Sequence, residues 1–122
     1  MDLEVTRADL AHVRTTTADP APLAEGEARI RVERFGLSAN NVTYGVFGDV
    51  MRYWDFFPVP GDDGATWGRI PVWGFGEVVE SRTPSAAVGE RLYGCFPMGS
   101  DLVIEAGRAD ERGVSDAAAH RA

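Results

Sequence analysis

The chain has 122 residues, of which 44% are hydrophobic and 25% charged, and its formal net charge at pH 7 is −7. This length and composition indicate one globular domain with a hydrophobic core. The acidic balance disfavours binding to nucleic acid or to an anionic membrane, because both attract a basic surface. No apolar stretch approaches the roughly 20 residues that a transmembrane helix requires.

The cellular compartment is indicated by cysteine usage and by the first residues. Cys95 is the single cysteine, so an internal disulfide is impossible. Asp2, Glu4 and Arg7 stand where a secretory signal peptide would have an apolar run. Because disulfides are rare in a reducing compartment, these features favour a cytoplasmic protein.

The residue pattern of the first third of the chain predicts extended structure. Residues 3–17 should be extended, since 13–17 are rich in β-branched side chains. The prolines within 19–22 interrupt them, and a turn is expected at Glu25 and Gly26. From 28 to 33 apolar and charged residues alternate, which predicts a half-buried strand. The predicted inward residues are Ala28, Ile30 and Val32, and the predicted outward residues are Arg29, Arg31 and Glu33. The alternation loses phase near Arg34, where a β-bulge is expected.

The remaining elements are short. Asn40 or Asn41 could cap a helical turn that runs to about residue 47. An aromatic cluster at 53–57 and a loop at 58–64 follow. Strands are predicted at about 72–81, 90–96 and 102–104, with Val78 and Leu92 inward, and the tail from 107 to 122 should be frayed or weakly helical. Short strands separated by turns argue for a small β-barrel or sandwich.

Three glycine-containing segments together carry a family resemblance. They are residues 23–32, which run on into 35–41, residues 74–80 (GFGEVVE) and residues 88–94 (VGERLYG). Their order and spacing resemble the N-terminal part of the medium-chain dehydrogenase/reductase superfamily, in particular its zinc-independent, quinone-oxidoreductase-like branch. The resemblance covers about residues 23–108.

The resemblance implies a fold and a domain division. The fold would be a GroES-like, partly open β-barrel with one or two short helices, spanning residues 1–108. Residues 109–122 would be a polar tail or the start of a linker to a Rossmann domain that is absent from the chain. We therefore expect a fragment of a longer protein.

The resemblance also implies a function. The chain would be the substrate-side domain of an NADPH-dependent, metal-free reductase acting on a carbonyl or an activated double bond, and it would be inactive alone. The alternative is a stand-alone GroES-like module for association or small-ligand binding. A Rossmann fingerprint encoded downstream would discriminate the two.

Cofactor and metal motifs are missing from the chain itself. In zinc-dependent members of the superfamily the ligands would fall on Ser38, Val72 and Trp73, and none of these is a zinc ligand type. Gly74 and Gly76 begin a dinucleotide-like pattern, but a strand continues through it instead of a helix. We therefore expect no metal and no tightly bound NADPH.

Two groups of residues are candidates for a site. In quinone-oxidoreductase-like relatives the segment matching 38–44 lines the cleft facing the nicotinamide, which places Asn40, Asn41 and Tyr44 there. The alternative is a helix cap by Asn41 and a packed Tyr44. Tyr53, Trp54 and Phe57 could line a substrate pocket, although a core plug is the favoured interpretation of this cluster.

No catalytic residue is assigned, because no Ser-His-acid arrangement and no carboxylate pair is evident. Cys95 is expected to be a buried and unreactive thiol. A fragment would expose an edge strand and apolar surface, so we also expect self-association through an edge strand or through the aromatic cluster at 53–57.

Overall fold

The computed structural model describes residues 1–121 and is mainly β, with 45% of the chain in strands and one α-helix. The strands are β1 (Asp2–Thr6), β2 (Val13–Thr16), β3 (Glu27–Gly36), β4 (Trp67–Gly68), β5 (Pro71–Ser81), β6 (Arg91–Pro97), β7 (Asp101–Asp110) and β8 (Gly113–Asp116). The helix α1 spans Ala39–Val46, and two short 3₁₀ helices span Tyr53–Asp55 and Gly61–Ala65. No helix in the described part of the chain is long and apolar enough to cross a bilayer.

The strands form two antiparallel sheets. One has three strands in the order β2-β1-β4, and the other has five in the order β6-β5-β3-β7-β8. The sheet system curves into a nearly closed barrel, which confirms the expected mainly β, partly open barrel with short helices. Within the described chain, β6 and β8 are the two edge strands of the larger sheet.

The residues of β3 that were predicted to face inward do face the core. Ala28 and Ile30 are buried, and Val32 is partly buried against the same core. Val78 on β5 is also fully buried and Leu92 on β6 is partly buried. These inward residues form one core because β5 lies between β6 and β3 in the sheet.

Arg29 departs from the predicted alternation, since only 11% of its side chain is exposed. Its guanidinium donates to Glu80 at 3.2 Å and to Asp101 at 2.9 Å. β3 lies between β5 and β7, so carboxylates from both neighbours approach this side chain. Arg31 and Glu33 are exposed as predicted.

The bulge predicted near Arg34 is present. The pairing of β3 with β5 shifts between Val32 and Arg34, and a second shift lies between Arg29 and Ile30. At the first shift the backbones approach closely: a Cβ at Gly74 would overlap the Arg34 carbonyl oxygen. The glycine in β5 therefore permits the bend of the strands, in agreement with its interpretation as a strand glycine.

The secondary structure at the two ends of the chain differs from the prediction. The N-terminal segment is a hairpin, in which β1 and β2 pair antiparallel across a turn. The tail is not weakly helical: β7 continues to Asp110, and β8 pairs with it. The division into 1–108 and 109–122 stays a prediction, and Ala122 lies outside the described residues.

Candidate functional site

The helix α1 begins at Ala39, and its N-cap is Ser38 rather than Asn40 or Asn41. Asn41 is the third residue of the helix and only 4% exposed. Its Oδ1 accepts from the Ser38 backbone N–H at 2.8 Å, and its Nδ2 donates to the Pro71 carbonyl at 3.0 Å. Asn41 therefore ties the start of α1 to β5, and both polar atoms of its side chain are occupied by backbone groups.

Asn40 and Tyr44 lie one turn apart on α1, on the flank of the helix next to Tyr53. The Asn40 amide Nδ2 donates to the Tyr44 hydroxyl oxygen at 3.1 Å. The Tyr44 ring packs on the Tyr53 ring with 4.8 Å between centroids. The three side chains form one polar-aromatic group, which we call the Tyr44 cluster. Because the Tyr44 oxygen already accepts from Asn40, its own O–H remains available to donate.

The outer side of α1 and the turn after it are apolar and exposed. Val42 and Val46, one helical turn apart, are 51% and 66% exposed. Phe47, Val50 and Met51, which follow in the chain, are also exposed, at 50%, 80% and 58%. We call these five residues the α1 apolar face. Scattered exposed apolar residues are ordinary, but five of them within ten residues of chain are typical of an interaction surface.

The aromatic cluster at 53–57 does not form one surface. Trp54 is 2% exposed and Phe57 is 5% exposed, whereas Tyr53 is half-buried. A Cβ on Gly48 or Gly68 would overlap the Trp54 indole, so the ring fills a slot bordered by two glycines. Trp54 is thus part of the core, as the core-plug interpretation expected, and it cannot be the exposed patch of a self-association surface.

One cavity is a groove of about 650 Å³ between β6 and the strands β7 and β8. Its apolar lining includes Ile30, Phe57, Leu92, Phe96, Leu102, Ile104 and Val114. Arg91, Arg112 and Arg121 also line it, with one carboxylate, Asp116. We call this cavity the β6 groove. Of the predicted pocket residues, Phe57 lies in its wall, and Tyr53 and Trp54 are not among the lining residues.

Two of the three arginines in the β6 groove are held by carboxylates. The Arg121 Nε donates to Asp116, and its guanidinium also donates to the carbonyl oxygen of Val103 at 3.0 Å. The Arg91 Nε donates to Glu33 at 2.7 Å. The groove combines an apolar floor with a basic rim, although the chain as a whole is acidic.

Cys95 is half-buried on β6 and also lines the groove. Burial raises the pKa of its thiol to about 11. The thiolate is the nucleophilic form of cysteine, so the raised pKa disfavours reaction of Cys95 at neutral pH. The expected lack of reactivity stays a prediction, and the side chain is half-buried rather than buried.

The residues that align with zinc ligands have other roles. Ser38 is the N-cap of α1, Val72 is fully buried, and Trp73 is exposed on β5. Among residues 1–121, no group of three or more His, Cys, Asp or Glu side chains could hold a metal ion.

A buried ion network was not anticipated from the sequence. The Glu4 carboxylate, 1% exposed, accepts from Arg14 at 2.8 Å, from Arg69 at 3.3 Å and from Thr16 at 3.3 Å. Burial lowers the pKa of Arg14, but hydrogen bonds to Glu4 and Asp63 outweigh this effect, so the pKa is raised overall. The network lines a second cavity of about 620 Å³ beside the segment 18–23.

A row of exposed aromatic rings was also missed. Trp73 and Tyr93 stack with 6.0 Å between centroids, and Tyr93 contacts Phe75 at 5.0 Å. Their exposures are 48%, 64% and 39% in the order Trp73, Tyr93 and Phe75. The spacing of two between Trp73 and Phe75 was the available signal, because alternate strand residues share a face.

A family model described as "Protein of unknown function (DUF2855)" matches residues 35–122, which include α1, β5, β6 and all the lining residues named for the β6 groove except Ile30. The chain belongs to the DUF2855 family. The match in this DUF2855 protein begins within β3 and leaves the N-terminal hairpin outside. No curated protein and no solved structure matches the chain significantly.

Proposed function

We propose that this DUF2855 chain is the substrate-side domain of an NADPH-dependent, metal-free reductase that acts on a carbonyl or an activated double bond. In this proposal the domain is a divergent GroES-like barrel of the medium-chain dehydrogenase/reductase superfamily. The observation that carries the proposal is the α1 apolar face with the Tyr44 cluster at its border.

The α1 apolar face supports the proposal because a two-domain reductase needs an apolar wall against its cofactor domain. The inner side of α1 is fixed to the barrel by Asn41 and by Gly45, whose Cα packs against Leu10 and Ile70 so closely that a Cβ would contact both. A helix held this firmly can offer a rigid surface, and rigid elements position substrates better than loops do.

The Tyr44 cluster supplies the polar group that carbonyl reduction requires. Negative charge develops on the carbonyl oxygen during hydride transfer, and a positioned O–H donor stabilises it. Asn40 orients the Tyr44 oxygen, and the contact with Tyr53 restricts the ring. Tyr44 would donate to the carbonyl oxygen, while the α1 apolar face would exclude water from the reacting atoms.

NADPH would supply the hydride when bound, and its dinucleotide would be held outside this chain. The donor set at the Tyr44 cluster fits the nicotinamide end: Asn40 keeps its Oδ1 free to accept from a carboxamide amine, since its Nδ2 faces Tyr44. β5 continues as a strand through Gly74 and Gly76, so it does not form the turn that cradles a pyrophosphate.

The test uses the complete reading frame of the gene that encodes this chain. The purified protein is assayed for NADPH oxidation with quinones, enones and aldehydes. We expect turnover with at least one class, and Tyr44→Phe should lower kcat by about 10²-fold, the usual effect of removing one oxyanion donor. Tyr93→Phe is the matched control, because Tyr93 lies on the outer surface of β6.

Two results would overturn the proposal. One is a complete protein without detectable NADPH oxidation or NADPH binding. The other is an active protein in which Tyr44→Phe and Tyr93→Phe have equal rates.

The alternative function is a small-ligand-binding module without enzymatic activity, and the β6 groove favours it. A volume of about 650 Å³ is in the range of small-molecule sites. An apolar compound with an anionic group would suit the apolar floor and the basic rim. Binding of such compounds to the chain, together with a complete protein that leaves NADPH unoxidised, would establish this alternative.

A further inference from the structure

β6 is an edge strand with little protection. Within residues 1–121 it pairs with β5 on one side only. Natural edge strands are usually shielded by charged residues, prolines or bulges along their length. Here Arg91 and Pro97 stand at the two ends, and the five residues between them, Leu-Tyr-Gly-Cys-Phe, carry no charge.

The backbone groups on the open side of β6 can be assigned from the register. The Val78 N–H donates to the Glu90 carbonyl at 2.8 Å, so this pair is hydrogen-bonded. Hydrogen-bonded and non-hydrogen-bonded pairs alternate along an antiparallel ladder. Leu92, Gly94 and Phe96 therefore bond to β5. The N–H and C=O groups of Tyr93 and Cys95 point to the open side.

The strand is self-complementary in one register. If a second copy of β6 pairs antiparallel with the two-fold axis at Gly94, Leu92 lies opposite Phe96 of the second copy on the inner face. Tyr93 lies opposite Cys95 of the second copy on the outer face, and Arg91 lies opposite Pro97 of the second copy. No like charges face each other, which matters because opposed like charges destabilise a sheet.

The aromatic row continues across this axis. Within one copy, Trp73 is opposite Cys95 and Phe75 is opposite Tyr93. The pairing would therefore align Trp73, Cys95, Tyr93 of the second copy and Phe75 of the second copy across four strands. The small Cys95 leaves room for the Tyr93 ring of the second copy beside Trp73. Aromatic pairs of this kind stabilise a sheet beyond simple burial.

We propose that two copies of this chain associate through antiparallel pairing of their β6 strands, with the two-fold axis at Gly94. The second copy pairs with the open edge of β6 beside the β6 groove and extends the exposed aromatic row. The occupant is a second copy of the chain, because in this register the residues from Leu92 to Phe96 face uncharged residues and no like charges oppose each other. The proposal is independent of the proposed reductase function.

The sharpest test is a disulfide across the axis. A Cβ added at Gly94 meets nothing within 4 Å, so Gly94→Cys is tolerated within one copy. The two Gly94 residues would form a non-hydrogen-bonded pair with Cα atoms about 4.5 Å apart, within the range of a disulfide. The variant is made with Cys95→Ser, and Val79→Cys with Cys95→Ser is the control, since Val79 is exposed on β5 away from the edge.

We expect mild oxidation with diamide to give a covalent dimer of the Gly94→Cys protein at least about tenfold faster than of the Val79→Cys protein. Sedimentation at micromolar concentration should show a dimer of the unmodified chain. A monomeric chain overturns the proposal. So does a dimer whose Gly94→Cys and Val79→Cys variants cross-link at equal rates, because the interface then lies elsewhere.

A second pair of variants decides the matter if the cysteine variants fail to fold. Tyr93→Pro removes an N–H that faces the open side and leaves the ladder to β5 intact. Tyr93→Ser removes the ring and keeps the N–H. We expect Tyr93→Pro to weaken dimerisation at least about tenfold more than Tyr93→Ser does. Equal dissociation constants for the two variants would overturn strand pairing as the mode of association.

Discussion

At the scale of single residues, environment decides what a side chain does. Asn41 and Asn40 are neighbours of the same type, yet Asn41 is buried with both polar atoms bonded to the backbone, whereas Asn40 is exposed and orients Tyr44. The sequence placed both in a cofactor-facing cleft or a cap. In the structure Ser38 is the N-cap, and Asn41 is the third helical residue, whose side chain accepts from the Ser38 N–H. Asn40 and Tyr44 remain the candidates for a site, whose function stays a prediction.

Cys95 offers a prediction about pH. Burial raises the pKa of its thiol from 9.0 to about 11, so the native protein should react with iodoacetamide at a rate that rises about tenfold per pH unit from pH 8 to 10. In guanidinium the rate should level off near pH 9. A native rate that is already constant at pH 9 would contradict the raised pKa.

The same shift predicts a loss of stability at alkaline pH. Between pH 9 and about 11 the unfolded chain loses the thiol proton while the folded chain keeps it. Because stability falls with pH wherever the unfolded state binds fewer protons, this contribution is complete below pH 9 and is lost as pH rises to about 11. Cys95→Ser should remove this part of the pH dependence in urea titrations.

Gly68 offers a prediction about packing. Its Cα lies against the Trp54 ring, and a Cβ there would overlap the indole. Gly68→Ala should therefore lower the free energy of unfolding by about 1–3 kcal/mol, the usual cost of overpacking a core. Gly36→Ala is the matched control, since a Cβ there meets nothing within 4 Å. Urea denaturation measures both, and equal stabilities would show that the Trp54 slot can widen.

At the scale of elements, the fold depends on how short strands are joined. The strands β1 and β2 are joined not only by their ladder but also by Glu4 and Arg14, and Arg69 connects them to the chain just before β5. The helix α1 is attached in the same way, through Asn41 to Pro71. Polar side chains thus hold the smaller elements to the barrel where few apolar contacts are available.

Substitution of Glu4 tests how much this ion network contributes to stability. Removing its charge leaves Arg14 and Arg69 without their shared buried partner, and breaking a buried ion pair is costly. Glu4→Gln should lower the free energy of unfolding by about 3 kcal/mol. Asp63→Asn removes the exposed partner of Arg14 and should cost less than about 1 kcal/mol. Thermal denaturation near neutral pH compares them, and a smaller effect for Glu4→Gln would refute this role of the network.

At the scale of the whole molecule, the central strands of the larger sheet organise the core. β3 lies between β5 and β7, and its inward residues contact the main hydrophobic cluster. β8 lies at an edge, and its pairing with β7 is irregular between Ala106 and Ala109. Stability should therefore differ strongly across the barrel.

Hydrogen exchange measures this difference. The slowest amides should lie in β3 and β5, with opening free energies equal to the global value from denaturant titration. Amides of β8 and of the segment 17–24 should exchange through local opening, at least about 10²-fold faster. Equal protection of β8 and β3 would contradict this prediction, because it would require the barrel to open only as one unit.

The sequence by itself determined the mainly β class, the bulge near Arg34, the short helix and most strand positions. These follow from local signals: alternation with a period of two, glycines that permit close approach, and polar residues at a helix start. In the same way, Ala28, Ile30 and Val78 were correctly expected in the core.

Tertiary structure alone decided the burial of Glu4, the shielding of Arg29, the position of Trp54 and the strand in the tail. Glu4 and Arg29 are charged residues in alternating strands, and partners up to 72 residues away in sequence bring them inside. Trp54 is buried by glycines on both sides of it in sequence. Local pattern cannot report such placements, because burial depends on which distant segments meet, and that is set by the topology of the closed sheet.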